Sequence, residues 1–220
     1  MSDGDRSGAG RLTTCVAWAM LLLGLWLWGR EVTGVRFGTG PTSGDVAAVG
    51  RPADAELPPP AKPLADAALP QRIDIPELGV QAPVVGRGLD TQGAVDPPPL
   101  SQPDVVGWYR AGTTPGAAGT AVMVGHVDTE TKPAVFYKLS TMEPGESVRV
   151  VRSDGKVAEF TVDDVRVLPR DDFDAEQAYG TGQSGRAELR LITCGGTFDR
   201  ESRTYSANVV VSAYLTGARA

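Results

Sequence analysis

The stretch SVRVVRSDGKVAEFTVDDVRVL, which begins at Ser147, commits its part of the chain to antiparallel β-structure. Val148 and Val150, then Phe160 and Val162, alternate with charged or polar neighbours. A half-buried sheet needs this period of two, whereas a helical period of 3.6 would scatter the same side chains around its surface. Between the two runs stands Ser153-Asp154-Gly155, and Asp-Gly is a strong hairpin-turn signal. The spacing predicts paired strands over Ser147–Arg152 and residues 156–162.

Short apolar runs of the same texture recur from Gln71 onward: RIDIPELG, APVVG, TAVMVGHV, AELRLITC and NVVVSAYL. Gly, Pro, Asp and Asn punctuate them, and 27 glycines and 17 prolines supply the turns such a pattern needs. Helix signals are sparse, confined to AVFYKL at residues 134–139 and a turn near residues 175–179. Regularly spaced short strands over residues 71–217 predict an all-β domain, a small closed barrel or a sandwich.

The N-terminal segment differs. Residues 13–29, TTCVAWAMLLLGLWLWG, carry no charge, with Arg6 and Arg11 before them and Arg30 and Glu31 after. As a helix they would span about 26 Å, near the short limit for crossing a bilayer core of roughly 30 Å. Trp26 and Trp28 suit an interfacial belt. A cleaved signal peptide also starts with positive charge, but its apolar region is shorter and ends at a small-residue cleavage site. The favoured reading is a cytoplasmic stub and transmembrane anchor over residues 1–30, with the rest of the chain outside the membrane. Residues 31–70, rich in Gly, Ala and Pro and centred on Pro58-Pro59-Pro60, then read as a flexible or semi-extended linker.

A net charge of −6 and the lack of a Lys/Arg run exclude nucleic-acid binding through a basic face. Only two cysteines occur, and Cys15 lies in the apolar N-terminal segment. Cys194 therefore has no disulfide partner in the folded region, and an unpaired thiol in an oxidising compartment is a liability unless buried or useful.

His126, the single histidine, follows VMVG, and Cys194 follows LRLIT and precedes Gly195-Gly196. The two lie 68 residues apart, each where a strand runs out into a loop. Read separately, His126 is a satisfied core or surface histidine and Cys194 a small buried hydrophobe. The glycines favour another reading, because they let main chain approach a substrate closely. A free thiol is only about 3% thiolate at pH 7. An adjacent imidazole takes its proton and later protonates an amine leaving group. Backbone amides near Cys194 and the arginines that follow it, Arg200 and Arg203, are candidate donors to a tetrahedral oxyanion. One His and one available Cys cannot complete a zinc site, and Asp171, Asp172, Asp174 and Glu176 match no EF-hand spacing. No metal or other cofactor is expected.

GHVDT around His126 and LITCGG around Cys194 resemble the sortases, membrane-tethered cysteine transpeptidases of Gram-positive bacteria. GWYRAGTTPGAAGTAVMVGHVDT and CGGTFDRESRTYSANVVVSAYL are most similar to the actinobacterial type called class F. The resemblance spans residues 71–214 and implies a closed eight-stranded β-barrel with short helices. It implies Cys194 as nucleophile, through a thioacyl enzyme, and His126 as general acid/base. It also implies an arginine near the start of the last strand, where this chain has Ser206-Ala207-Asn208. Arg203 is the first choice for that role and Arg200 the second. Thr193, Gly195 and Arg200 are expected at the substrate pocket, and Asp128 beside His126, either orienting it or solvated.

The implied activity is cleavage of an LPxTG-like sorting signal on a secreted protein and transfer of the acyl group to an amine of a lipid-linked cell-wall precursor. The expected enzyme is a monomer at the cell membrane with its catalytic domain outside. An endopeptidase that passes the acyl group to water, and a non-catalytic binding barrel, are the alternatives.

Overall fold

Asp154 and Gly155 build the turn that the sequence pattern requires. Gly155 takes φ +80°, a left-handed conformation that costs glycine little. Its amide donates to the Arg152 carbonyl at 3.1 Å, and the Arg152 amide donates to the Lys156 carbonyl at 2.9 Å. The flanking runs pair as β5 (Ser147–Arg152) and β6 (Val157–Pro169). Val148 stands opposite Phe160 and Val150 opposite Ala158. The computed structural model describes residues 56–65, 68–170, 180 and 185–220. The apolar segment at residues 13–29 and the acidic cluster at residues 171–176 lie outside them. Among the described residues no helix is long and apolar enough to cross a membrane.

The other strands are β1 (Pro70–Ile75), β2 (Val80–Arg87), β3 (Val106–Tyr109), β4 (Gly119–Val124), β7 (Ala187–Asp199) and β8 (Thr204–Arg219). They close into a barrel in the order β1-β2-β3-β4-β7-β8-β6-β5. Two neighbouring pairs, β2 with β3 and β4 with β7, run parallel, and the rest antiparallel. Closure removes the open edges that an eight-stranded sheet would otherwise expose.

Alternation along the strands sorts side chains between two apolar clusters. Ala121, Met123, Leu191, Val209 and Val211 join the barrel interior with Phe160, Ile73 and Ile75. Their sequence neighbours Val122, Val124, Ile192 and Val210 form a second cluster on the opposite side of the wall, with Val95, Tyr109 and Leu168 packed against them. The strands that hold the site are thus apolar on both faces, which is why TAVMV and LRLIT read as nearly continuous hydrophobic runs.

Two expectations change. Within residues 134–139, residues 135–138 form turns that lead into a 3₁₀ segment, Leu139–Thr141, and not an α-helix; the only other helical piece among the described residues is Pro76–Leu78. Six residues are too few to nucleate an α-helix unaided. Here the backbone bonds outward instead: the Val135 amide reaches the Pro103 carbonyl (2.9 Å) and the Phe136 amide the His126 carbonyl (3.0 Å). Phe136 and Leu139, both fully buried, plug the interior.

The second departure concerns the proline-rich stretch. Its residues 56–65 dock on the barrel: the Ala61 amide donates to Leu215 (2.8 Å), the Leu64 amide to Gly116 (2.7 Å), and the Tyr214 hydroxyl to the Pro58 carbonyl (2.6 Å). Ala61 and Leu64 pack on the core. Prolines contribute no amide, so the few N–H groups between them carry the attachment.

Candidate active site

β4 and β7 decide where His126 and Cys194 meet. Their parallel register pairs Gly119 with Ala187 and runs in step to Val124 opposite Ile192, a constant offset of 68 positions. Beyond β4 the Gly125 amide still donates to the Ile192 carbonyl at 3.1 Å. The same offset separates His126 from Cys194, so His126, just past the end of β4, stands beside Cys194, which lies within β7 and not at a strand end as its sequence context suggested. Both follow the outward positions (Val122 and Val124 on one strand, Ile192 on the other), and both line one cleft of about 920 Å³.

Gly125 is glycine for a steric reason. A Cβ there would stand 2.6 Å from Phe136 Cδ2 and 2.7 Å from Val135 Cγ1, so only glycine lets the plug pass beneath the histidine loop. The imidazole is then oriented by Pro98, with His126 Nε2 2.6 Å from its carbonyl oxygen. A carbonyl only accepts, so the proton resides on Nε2 and the neutral ring keeps its lone pair on Nδ1. Asp128 does not supply this orientation; it accepts a hydrogen bond from the Tyr205 hydroxyl.

Cys194 reaches solvent at the cleft mouth, yet the surrounding wall is dense. Burial pushes its thiol above the ordinary value, the positive charge of Arg170 works the other way, and the Asp128 carboxylate adds to the rise. Tyr205 is pushed up to about 12, by burial first and then by its bond to Asp128. Its ring also stacks at a tilt on Phe198, with centroids 5.0 Å apart.

The other residues singled out from the sequence divide. Arg200 and Arg203 line the cleft. Arg203 has a left-handed backbone (φ +55°), and its guanidinium pairs with Glu130, both groups well exposed. Thr193 points to the opposite side of β7 from Cys194 and is buried. Gly195 is held by packing, since a Cβ would meet Val209 Cγ2 at 2.6 Å. Gly196, with φ +78°, sits in the irregularity where β7 carries an extra residue against β8. Neither Thr193 nor the two glycines line the cleft. Sequence reasoning missed Pro98, Arg170 and Tyr205. Of these, Tyr205 had a signal in its apolar-aromatic place before the NVVV strand.

The family profile described as Sortase domain matches residues 73–216, well over half of the chain. The chain belongs to the sortase family. Sortases are transpeptidases, and the eight-stranded barrel agrees with solved sortase folds. Sortase C1 from Streptococcus agalactiae is 16% identical, with a TM-score of 0.51 over 70% of this chain and 71% of that one. Sortase C-1 from Actinomyces oris is 21% identical, with 0.51 over 70% and 74%. A lid mutant of sortase A from Corynebacterium diphtheriae is 18% identical, with 0.52 over 70% and 73%. No curated protein sequence matches the chain.

Proposed function

We propose that this sortase is a membrane-anchored cysteine transpeptidase of the class F type, with Cys194 as nucleophile and His126 as general acid/base. The observation that carries the reading is the placement of a solvent-reachable thiol on β7 and a lone imidazole just past the end of its parallel neighbour β4, in one cleft. His126 Nδ1 takes the thiol proton as sulfur attacks the scissile carbonyl. The tetrahedral intermediate collapses to a thioacyl enzyme, and the same proton passes to the departing amine. An incoming amine, deprotonated by the imidazole, then takes the acyl group and regenerates the thiol.

The substrate in this reading is an LPxTG-like sorting signal of a secreted protein, and the acceptor an amine on a lipid-linked cell-wall precursor. The exposed Leu100 and Phe198 at the cleft lip offer apolar contact for such a peptide. An anchor at residues 13–29 would hold the domain at the membrane face where that acceptor lies.

The test incubates the full chain with an LPxTG-containing peptide, with and without an added amine, and identifies products by mass spectrometry. An amide of the added amine is the expected product. Free acid alone, with the amine ignored, replaces transpeptidation by hydrolysis. Cys194→Ala and His126→Ala should each abolish product while remaining folded, because the pair acts as a unit. Retained turnover in folded Cys194→Ala removes the catalytic reading and leaves a binding barrel.

A further inference from the structure

An oxyanion formed at Cys194 needs fixed donors, and the structure offers one from a strand that the sequence did not connect to the site. Across the sheet, Cys194 on β7 stands opposite Asn208 on β8, which stands opposite Leu168 on β6. Side chains in such a row share a face. Leu168 packs against the same outer cluster as Ile192 and Val210, which fixes that face as the one carrying the thiol. Arg170 lies two residues beyond Leu168 and so returns to the same side. Its amide donates to the Ser206 carbonyl at 2.9 Å, which holds it beside the start of β8. Two strand spacings separate its backbone from that of β7, roughly 10 Å, and the long arginine side chain closes the gap to line the cleft with Cys194 and His126.

We propose that Arg170 is a catalytic residue that binds the oxyanion of the tetrahedral intermediate formed at Cys194. As the sulfur–carbon bond forms, the carbonyl π pair moves onto oxygen, and the guanidinium fork donates hydrogen bonds to it. When the pair returns, the carbon–nitrogen bond breaks and the amine leaves with the proton from His126. Arg170 undergoes no net change. The inference rests on the transpeptidase reading above.

Three comparisons favour Arg170 over its neighbours. Arg203 is already paired with Glu130, whereas among the described residues Arg170 has no ion-pair partner. Arg200 belongs to the β7–β8 hairpin tip, outside the strand ladder that positions Arg170. Independently, the charge of Arg170 is the favourable electrostatic influence on the Cys194 thiol.

The experiment measures single-turnover acylation of Cys194 in the full chain by an LPxTG-containing peptide, alongside alkylation of Cys194 by iodoacetamide across pH. Arg170→Gln should slow acylation by roughly 10²–10³-fold, the usual loss for one oxyanion donor. It should also shift the alkylation profile to higher pH. Arg170→Lys keeps the charge without the fork, so it should restore the alkylation profile and recover only part of the acylation rate. Wild-type acylation in Arg170→Gln, or the large loss in Arg200→Gln instead, overturns the proposal alone. If Arg170→Gln does not fold, a wild-type acylation rate in Arg170→Lys overturns it. Absence of acyl-enzyme in the unmodified chain brings down the transpeptidase reading, and this inference with it.

Discussion

The Gly125 amide donates to the Ile192 carbonyl at 3.1 Å, and this one bond carries the β4–β7 register past the end of β4 to His126 and Cys194. It explains why the histidine follows a glycine. The chain must stay against β7 for one more residue while Phe136 and Val135 pass close beneath. A tight crossing and the single histidine thus share a loop.

A bulkier residue at that crossing should therefore disturb activity and stability together. Gly125→Ala needs the plug to shift by several tenths of an ångström, and Phe136→Ala removes a fully buried ring, a change that costs about 3–5 kcal/mol. Denaturant unfolding should show both losses. Phe136→Ala should also lower the acylation rate, because the ring packs against Gly125 and supports the loop that carries His126.

The tautomer of His126 is directly measurable, since the chain has a single histidine. Nitrogen NMR of the labelled protein, at a pH where the ring is neutral, should place the proton on Nε2, as the Pro98 carbonyl requires. A proton found on Nδ1 would remove the base from the proposed mechanism.

The Cys194 thiol should titrate above its ordinary value, because burial outweighs Arg170. Its folded pKa is raised, so its contribution to stability is complete below the unfolded value and is lost as pH rises through the folded one. Iodoacetamide labelling, mapped to Cys194 by peptide mass, should rise at higher pH in the native chain than in urea. A native profile at or below the unfolded one contradicts the crowded cleft wall.

Tyr205 should keep its proton past the range where ordinary tyrosines ionise, up to about 12. The sign is the same as for the thiol: stability from the neutral hydroxyl persists below roughly pH 10 and fades as pH climbs through the folded value. An ultraviolet titration should show a late-ionising phenol that Tyr205→Phe deletes. The same variant frees Asp128 of its donor.

Arg203→Ala should have a small effect. Its partner Glu130 is well exposed, as is Arg203 itself, and such pairs contribute about 0–1 kcal/mol. Steady-state turnover should stay within roughly fivefold of wild type. A loss of roughly 10²-fold would return the oxyanion role to the hairpin tip.

Some of this was legible in the chain. The Asp154-Gly155 turn and the alternation of Val148, Val150, Phe160 and Val162 are local patterns, and they appear as a hairpin with that pairing. His126 and Cys194 stood out because their chemistry is scarce in the sequence. Other features read differently once folded. Gly195 and Gly196, taken as openings for substrate, are shaped by Val209 and by the β7–β8 irregularity. Residues 56–65 looked like tether from composition, yet two amides and two apolar side chains dock them on the barrel.

Alternation, turns and rare reactive residues act over a few positions, so the amino-acid order alone determined an all-β domain and its two reactive groups. Which strands become neighbours depends on burying both faces of β4 and β7 at once, a condition satisfied only in the closed barrel. That closure sets a parallel offset equal to the spacing of His126 and Cys194, and it brings Arg170 across two strands to the same cleft. Contacts between residues so distant along the chain have no local signature, because the free energy that selects them comes from packing shared by the whole barrel.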